Sequence, residues 1–244
     1  MKYKLTIEYD GSSFFGWQRQ KNNISVQGTI EKSLSLLCHE NILVVGAGRT
    51  DTGVHATGQV AHFSCNKNFN IYKLIQGINH NVGELPVSVI NAEIVPDDFH
   101  AISSAKSRTY IYKIINRFQD LTFQKKLYLK INQHLDEHLM NKAAKFLIGK
   151  HDFSSFRSAK CQSKSPIKII FNANVIRNNE EINLIFEGNS FLHHQIRNMV
   201  GALIYVGYEK WSINKFIEIF NKKDRNLSAP MVPPDGLYLT EVKY

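Results

Sequence analysis

A glycine-rich segment, residues 46–58, carries side chains suited to polar chemistry. Its four glycines allow the backbone to approach a ligand closely, and Arg49, Asp51 and His55 stand between them. A carboxylate in such a segment can act as a base or as a nucleophile. The alternative is a long hairpin loop in which Asp51 only caps a turn.

A second candidate is the segment 107–112, whose alternating pattern predicts a strand. Side chains two residues apart share one face of a strand, so Arg108, Tyr110 and Tyr112 should point the same way. A tyrosine beside a cation can act as a base or stack on a nucleobase. Ordinary sheet packing remains the alternative, because tyrosine is a good strand former.

A third candidate lies at residues 188–201, which overlap a helix predicted over 191–206. Arg197 falls off the apolar stripe of this helix, on the face it shares with His193 and Gly201. From that face a guanidinium could reach a carboxylate, and Gly201 would allow close approach. The alternative is a solvated arginine.

Residues 134–138 match the H-x-x-E-H arrangement of some zinc hydrolases. His134 and His138 fall one position away from the apolar stripe of Leu135 and Leu139, so they should face solvent. The sequence offers no identifiable third ligand. We therefore expect no metal site and keep zinc hydrolysis only as a remote alternative.

The apolar periodicity predicts the order βαββαβ twice. In the first half, strands are expected at 3–9, 42–47, 59–64 and 87–95, with helices after a cap at Ser25 and at 71–78. In the second half, strands are expected at 107–116, 167–176, 182–187 and 237–242, with helices at 135–147, 191–206 and 213–220.

These elements predict an α+β fold of two ferredoxin-like βαββαβ halves, with their sheets joined around a central cleft. We place an N-terminal domain at 1–105, carrying the Asp51 loop. A C-terminal domain at 106–244 carries the Tyr110 strand and the Arg197 helix. Clefts between domains are favoured places for ligands.

The composition favours an intracellular protein, and its basic surplus has two interpretations: binding of a polyanion, or an AT-rich genome that favours lysine codons. Thirty Lys and Arg against 21 Asp and Glu give a net charge of +9, which attracts nucleic acid. Between residues 142 and 168, seven basic residues accompany one acid, Asp152. No stretch approaches the ~20 apolar residues of a membrane span, and three cysteines without a CxxC pair suit a reducing cytoplasm.

Taken together, these segments resemble the TruA family of tRNA pseudouridine synthases. Residues 9–20, YDGSSFFGWQRQ, are similar to the family's opening block, and 48–56, GRTDTGVHA, to its catalytic block. The other blocks occur in the family's order at 26–31, 99–101, 107–112, 151–156, 191–201 and 233–239. Thr52 stands where the family has alanine, and Ser228-Ala229 where it has Ala-Gly. The departure at Thr52 bears on the rate and leaves the reaction type unchanged.

The resemblance implies that Asp51 supplies the catalytic carboxylate and that Arg197 pairs with it, which favours the ionised form. Tyr110 would stack on the target base and move a proton, and Leu237 would form an apolar wall of the same pocket. Two routes stay open: covalent addition of the carboxylate to ribose or base, or a glycal intermediate.

The resemblance also implies how the uridine is reached. The target must leave its stack, which costs a few kcal/mol. Arg49 would then occupy the vacated space and steady the flipped nucleotide, and Arg108 would complete the substrate-binding set.

By the same resemblance, the substrate is uridine in the anticodon stem-loop of tRNA, at positions 38–40, and the enzyme is a cytoplasmic homodimer. Isomerisation includes no redox step, so we expect no cofactor, and we expect no membrane partner. The basic stretch 142–168 is our candidate for part of the tRNA surface. An alternative of another class is a non-catalytic RNA-binding protein with stacking aromatic residues.

Overall fold

The computed structural model describes residues 1–244 and contains two compact units. The first unit comprises Met1–Lys106 and Tyr238–Tyr244, and the second comprises Ser107–Leu237. The last seven residues thus belong to the first unit, whereas the sequence pattern predicts them in a C-terminal domain at 106–244. None of the helices has both the length and the apolar character needed to cross a membrane.

The first unit is a mostly antiparallel sheet with two helices. Its elements are β1 (Lys2–Tyr9), α1 (Val26–Cys38), β2 (Val45–Gly46), β3 (His55–Ser64), α2 (Ile71–Val82), β4 (Val87–Val95) and β10 (Leu237–Lys243). The strand order is β4-β1-β3-β10, and β2 pairs with β3. The strand β10 joins β3 in parallel, with Tyr238 opposite His55.

Local patterns explain these elements. In β1, the side chains of Tyr3, Leu5 and Ile7 are fully buried. The apolar side chains predicted to alternate with polar ones therefore share the buried face of the strand. Helix α1 begins after Ser25, whose Oγ accepts a hydrogen bond from the Gly28 amide at 3.3 Å. Its residue Ile30 is fully buried as well.

The second unit contains five strands and three helices. Its elements are β5 (Ser107–Asn116), β6 (Leu129–Ile131), α3 (Glu137–Lys145), β7 (Gly149–Asp152), β8 (Ile167–Asn178), β9 (Glu181–Gly188), α4 (Gln195–Gly207) and α5 (Ile213–Lys222). The strand order is β5-β9-β8-β7, and β6 pairs with β5. Ile182, Leu184 and Phe186 of β9 are fully buried on the helix side.

The α+β class predicted from the sequence is confirmed. Two local predictions are wrong. The strand expected at 42–47 is reduced to Val45–Gly46, and the helix expected from residue 191 begins at Gln195. His194 ends a turn with φ of 65°, a left-handed conformation that no helix continues through. The two ferredoxin-like halves, the junction of their sheets and the central cleft stay predictions.

Candidate active site

The loop between β2 and β3 presents Asp51. The Asp51 side chain is half-buried, whereas its neighbour Thr52 and the nearby Arg49 are exposed. The amide of Val54 donates to the Asp51 carbonyl at 3.1 Å, which closes the tip of the loop into a turn. The exposed position of Thr52 explains why a larger side chain is accommodated next to Asp51.

Two residues of the opening segment hold Thr50, the residue before Asp51. The hydroxyl of Tyr9 and Oγ1 of Thr50 form a buried hydrogen bond of 2.8 Å. The amide of Trp17 donates to the Thr50 carbonyl at 3.1 Å. Both the side chain and the backbone of Thr50 are therefore fixed, and the position of Asp51 follows from them.

Glycines let the opening segment come this close. A Cβ at Gly16 would lie 2.7 Å from the Thr50 carbonyl oxygen, and the φ of Gly16 is +84°. A Cβ at Gly11 would lie only 2.0 Å from the Val54 carbonyl oxygen. These contacts are with backbone that cannot swing aside, so only glycine fits at either position.

His55 supports the loop from below. Its side chain is 1% exposed, and its Nδ1 accepts a hydrogen bond from the Gly11 amide at 3.0 Å. Its ring stacks on Tyr238 with centroids 4.6 Å apart. The histidine of the glycine-rich segment is thus a packing residue that joins the opening segment, β3 and β10.

The second unit presents Arg108 and Tyr110 from β5. Arg108 is buried, and its Nη1 donates to the Asn189 carbonyl at 2.7 Å. Tyr110 is half-buried and meets the Phe191 ring edge-to-face at 5.3 Å. The chain between β9 and α4 therefore packs along the face of β5 that carries both residues.

Arg197 lies in the first turns of α4 and is 9% exposed, so the interpretation as a solvated arginine is wrong. Its Nε donates to the Val232 carbonyl at 2.9 Å, which fixes the plane of the guanidinium. His193 does not share its helix face as predicted, because the helix begins after His194. A Cβ at Gly201 would lie 2.1 Å from the Pro230 carbonyl oxygen, so this glycine allows close approach of chain rather than of a ligand.

Tyr112 belongs to the same cluster. Its hydroxyl donates to the Pro233 carbonyl at 2.8 Å, next to the carbonyl that Arg197 binds. Burial raises the pKa of Tyr112 although the positive charge of Arg197 opposes the shift, so this tyrosine stays neutral. Leu237 is buried just beyond, and its amide donates to the Pro234 carbonyl at 2.8 Å.

The structure thus brings Arg197 together with Tyr112 and the segment 232–237, and it places Arg108 and Tyr110 on the segment 189–191. The sequence does not predict that the carbonyls of residues 232–234 hold Arg197 and Tyr112, since any residue type provides a backbone carbonyl. The adjacent prolines 233 and 234, which restrict the backbone, were the available hint.

Comparison with known proteins decides the family. The model of a family described as tRNA pseudouridine synthase matches residues 5–110 and 143–244. The chain belongs to this family. It is accordingly an isomerase that acts on uridine in tRNA.

Curated relatives support the same assignment over the whole length. The chain is 44% identical over 243 residues to a tRNA pseudouridine synthase A of Nitrobacter winogradskyi, covering 100% of this chain and 95% of the relative. Proteins of the same name from Rhodopseudomonas palustris (strain BisA53) and Maricaulis maris are each 45% identical over 243 residues, with 99% and 98% of the relative covered.

The H-x-x-E-H segment of this family member has a different role from that in zinc hydrolases. Glu137 opens α3 and accepts a hydrogen bond from Arg177 Nε at 2.7 Å, which holds the pKa of Glu137 below its usual value. The His138 side chain is 85% exposed and His134 is exposed as well. No group of three potential metal ligands includes either histidine. The segment instead forms the beginning of α3, with Asp136 as its N-cap.

Some basic residues of the stretch 142–168 are exposed to solvent, whereas Arg157 makes hydrogen bonds within the fold. Lys142, Lys150, Lys160 and Lys164 are exposed. Arg157 is used internally, because its Nη2 donates to the carbonyls of two residues in the following loop, at 3.0 and 2.6 Å. The exposed lysines remain our candidates for a phosphate-binding surface.

Proposed function

We propose that Asp51 is the catalytic carboxylate of this tRNA pseudouridine synthase. The observation that carries the proposal is that the half-buried carboxylate of Asp51 follows a residue whose position is fixed. That residue, Thr50, is hydrogen-bonded to Tyr9 and to Trp17. A group that must meet one atom of a flipped nucleotide gains from such pre-organisation. The matching GRTD segment supports the same residue.

The reaction breaks the bond between C1′ of the ribose and N1 of uracil and forms a bond between C1′ and C5. The hydrogen on C5 leaves as a proton, and N1 gains one. Electrons and atoms balance within the substrate, so the proposed reaction uses no cofactor. Asp51 acts on the ribose or the base during the detachment.

Five residues complete the proposed site. Arg197 faces the charge of Asp51 during the reaction and is held rigid for this by Val232. Tyr110 stacks on the uracil and moves the proton, and Leu237 forms the apolar wall. Arg49, which is exposed at the loop tip, fills the space of the flipped uridine. Arg108 supports this side of the pocket through its bond to the Asn189 carbonyl.

We further propose that the substrate uridines lie in the anticodon stem-loop, at tRNA positions 38–40, and that the enzyme works in the cytoplasm as a homodimer. The motif blocks that resemble the TruA family support this assignment. The exposed lysines of 142–168 would contact phosphates of the same tRNA.

The deciding experiment measures tritium release from transcribed tRNA carrying [5-³H]uridine, in buffer with a metal chelator. Wild-type protein should release tritium, whereas Asp51→Asn and Asp51→Ala should release none while binding tRNA with similar affinity. Asp98→Asn, an exposed carboxylate of the same unit, is the matched control and should behave as wild type.

Two outcomes would contradict the proposal. Turnover by Asp51→Asn at the wild-type rate would remove Asp51 from the mechanism. Tight tRNA binding without tritium release by any protein would favour a non-catalytic RNA-binding role. Mapping the product in wild-type reactions tests the anticodon positions separately.

A further inference from the structure

The loop between β5 and β6 carries the two most exposed phenylalanines of the chain. Phe118 is 80% exposed and Phe123 is 83% exposed. Two large apolar side chains this exposed in one short loop are available to contact another molecule. We call residues 117–130, which include the first two residues of β6, the aromatic loop.

The aromatic loop is held in place by its own polar contacts. Arg117 donates through Nε to the Gln119 carbonyl at 3.2 Å and through Nη2 to the Asp120 carbonyl at 3.1 Å. Arg117 also pairs with Glu180 at 3.0 Å, and Lys130 pairs with Asp120. The base of the loop is therefore fixed, and its phenyl rings are presented rather than left to collapse onto the core.

The charge of the loop indicates the kind of partner. It contains four basic residues, Arg117, Lys125, Lys126 and Lys130, and one acid, Asp120. Lys125 and Lys126 are exposed beside Phe123. Interleaved aromatic and basic side chains suit a single-stranded nucleic acid, whose bases stack on the rings while its phosphates meet the cations.

A shallow cavity lies beside Phe123. Its volume is about 290 Å³, just under the range of ~300–1,000 Å³ usual for small-ligand pockets. It is lined by Ile115, Arg117, Leu121, Thr122, Phe123 and Gln124. An apolar wall of Ile115, Leu121 and Phe123 suits the flat face of one base.

The aromatic loop also lies outside the residues that match the family, which end at 110 and resume at 143. We propose that Phe118 and Phe123 stack on unpaired bases of the tRNA at a site separate from the reacting uridine. The loop adds affinity for the substrate and takes no part in the chemistry.

The test compares tRNA binding by full-length variants, using an unmodified transcript and a filter-binding titration at fixed salt. The double variants Phe118→Ala/Phe123→Ala and Phe118→Leu/Phe123→Leu should both raise Kd at least about fivefold, because leucine keeps the apolar surface but has no face for stacking. The kcat at saturating tRNA should stay unchanged. Phe171→Ala, at a phenylalanine of β8 that is 50% exposed, is the matched control and should bind as wild type.

The charge part of the proposal has its own readout. Lys125→Ala/Lys126→Ala should make the dependence of log Kd on log salt shallower by roughly 1.4 units, since two phosphate contacts to a single strand are lost and fewer counterions are released.

Three outcomes would overturn the proposal: an unchanged Kd in the alanine double variant, full affinity in the leucine double variant, or a loss of affinity that sedimentation traces to dissociation of a dimer. The last result would make the rings a protein interface. None of these outcomes depends on Asp51, so they leave the proposed catalytic residue untouched.

Discussion

Two loops of this synthase present side chains in opposite ways. The Asp51 loop is clamped by buried contacts, the hydrogen bond between Tyr9 and Thr50 and the close approach of Gly11 to the Val54 carbonyl. The aromatic loop is held by partly exposed contacts of Arg117, and its phenyl rings project into solvent.

The difference matches what each loop is proposed to do. A carboxylate that must meet one atom requires a position held to a fraction of an ångström, which buried and fully satisfied contacts provide. Stacking on an unpaired base tolerates small displacements, because a ring offers a broad face. Exposed polar contacts, which contribute little to stability, are sufficient there.

The largest expected effect comes from Gly11→Ala. The new Cβ would lie 2.0 Å from the Val54 carbonyl oxygen, and that backbone must move to accept it. We expect the free energy of unfolding to fall by about 3 kcal/mol and activity to be lost with it. Denaturant unfolding measures the change.

Gly83→Ala is the control, since its Cβ would meet open space and only the φ of +70° causes strain. This variant should lose about 1 kcal/mol and keep its activity. Equal losses in the two variants would show that the close approach at Gly11 is not a clamp.

The next effect is a pH dependence carried by His62 of β3, the strand that follows the Asp51 loop. Burial lowers the pKa of His62 from 6.5 to about 4, and the nearby charges of His100 and Lys2 add to the shift. Its neutral Nδ1 accepts a hydrogen bond from the Ala101 amide at 3.1 Å.

In the unfolded chain this histidine takes up its proton near pH 6.5, before the folded protein does. The stabilisation is therefore complete above pH 6.5 and is lost as the pH falls towards 4, by up to about 3 kcal/mol. Unfolding of wild type and His62→Asn should be compared at pH 7.5 and pH 4.5, and the variant should show the smaller acid loss. Parallel losses in both proteins would assign the acid sensitivity to other groups.

Tyr9→Phe should have the smallest effect on stability. It is also the most direct test of whether the Asp51 loop must be held more rigidly than the aromatic loop. Removing the hydroxyl deletes the hydrogen bond to Thr50 and should cost about 1 kcal/mol. Because Asp51 is the next residue, kcat should fall roughly tenfold while KM for tRNA changes little.

Tyr3→Phe provides the matched control, because the Tyr3 hydroxyl accepts from the Phe69 amide at 2.8 Å, away from the Asp51 loop. It should lose similar stability without loss of kcat. If both variants kept their full kcat, the bond to Thr50 would be structural only.

Much of the fold follows from local sequence patterns. The strands over Val87–Val95 and Ser107–Asn116 have the predicted bounds, since alternation and flanking turns define a strand within its own residues. The cap at Ser25 could be predicted because a helix cap also depends on neighbouring residues of the chain. The start of α4 was not, because the left-handed conformation of His194 depends on the packing of the preceding chain rather than on its residue type.

The sequence by itself determined the α+β class, the family and the residues that match its blocks, because these are properties of residue type and spacing. Only the tertiary structure decided that Arg197 is buried and fixed by Val232, that Thr50 is held by Tyr9 and Trp17, and that the rings of the aromatic loop stay in solvent. Burial and long-range hydrogen bonds arise from segments far apart in the chain, and each segment alone carries no record of the neighbour it will meet.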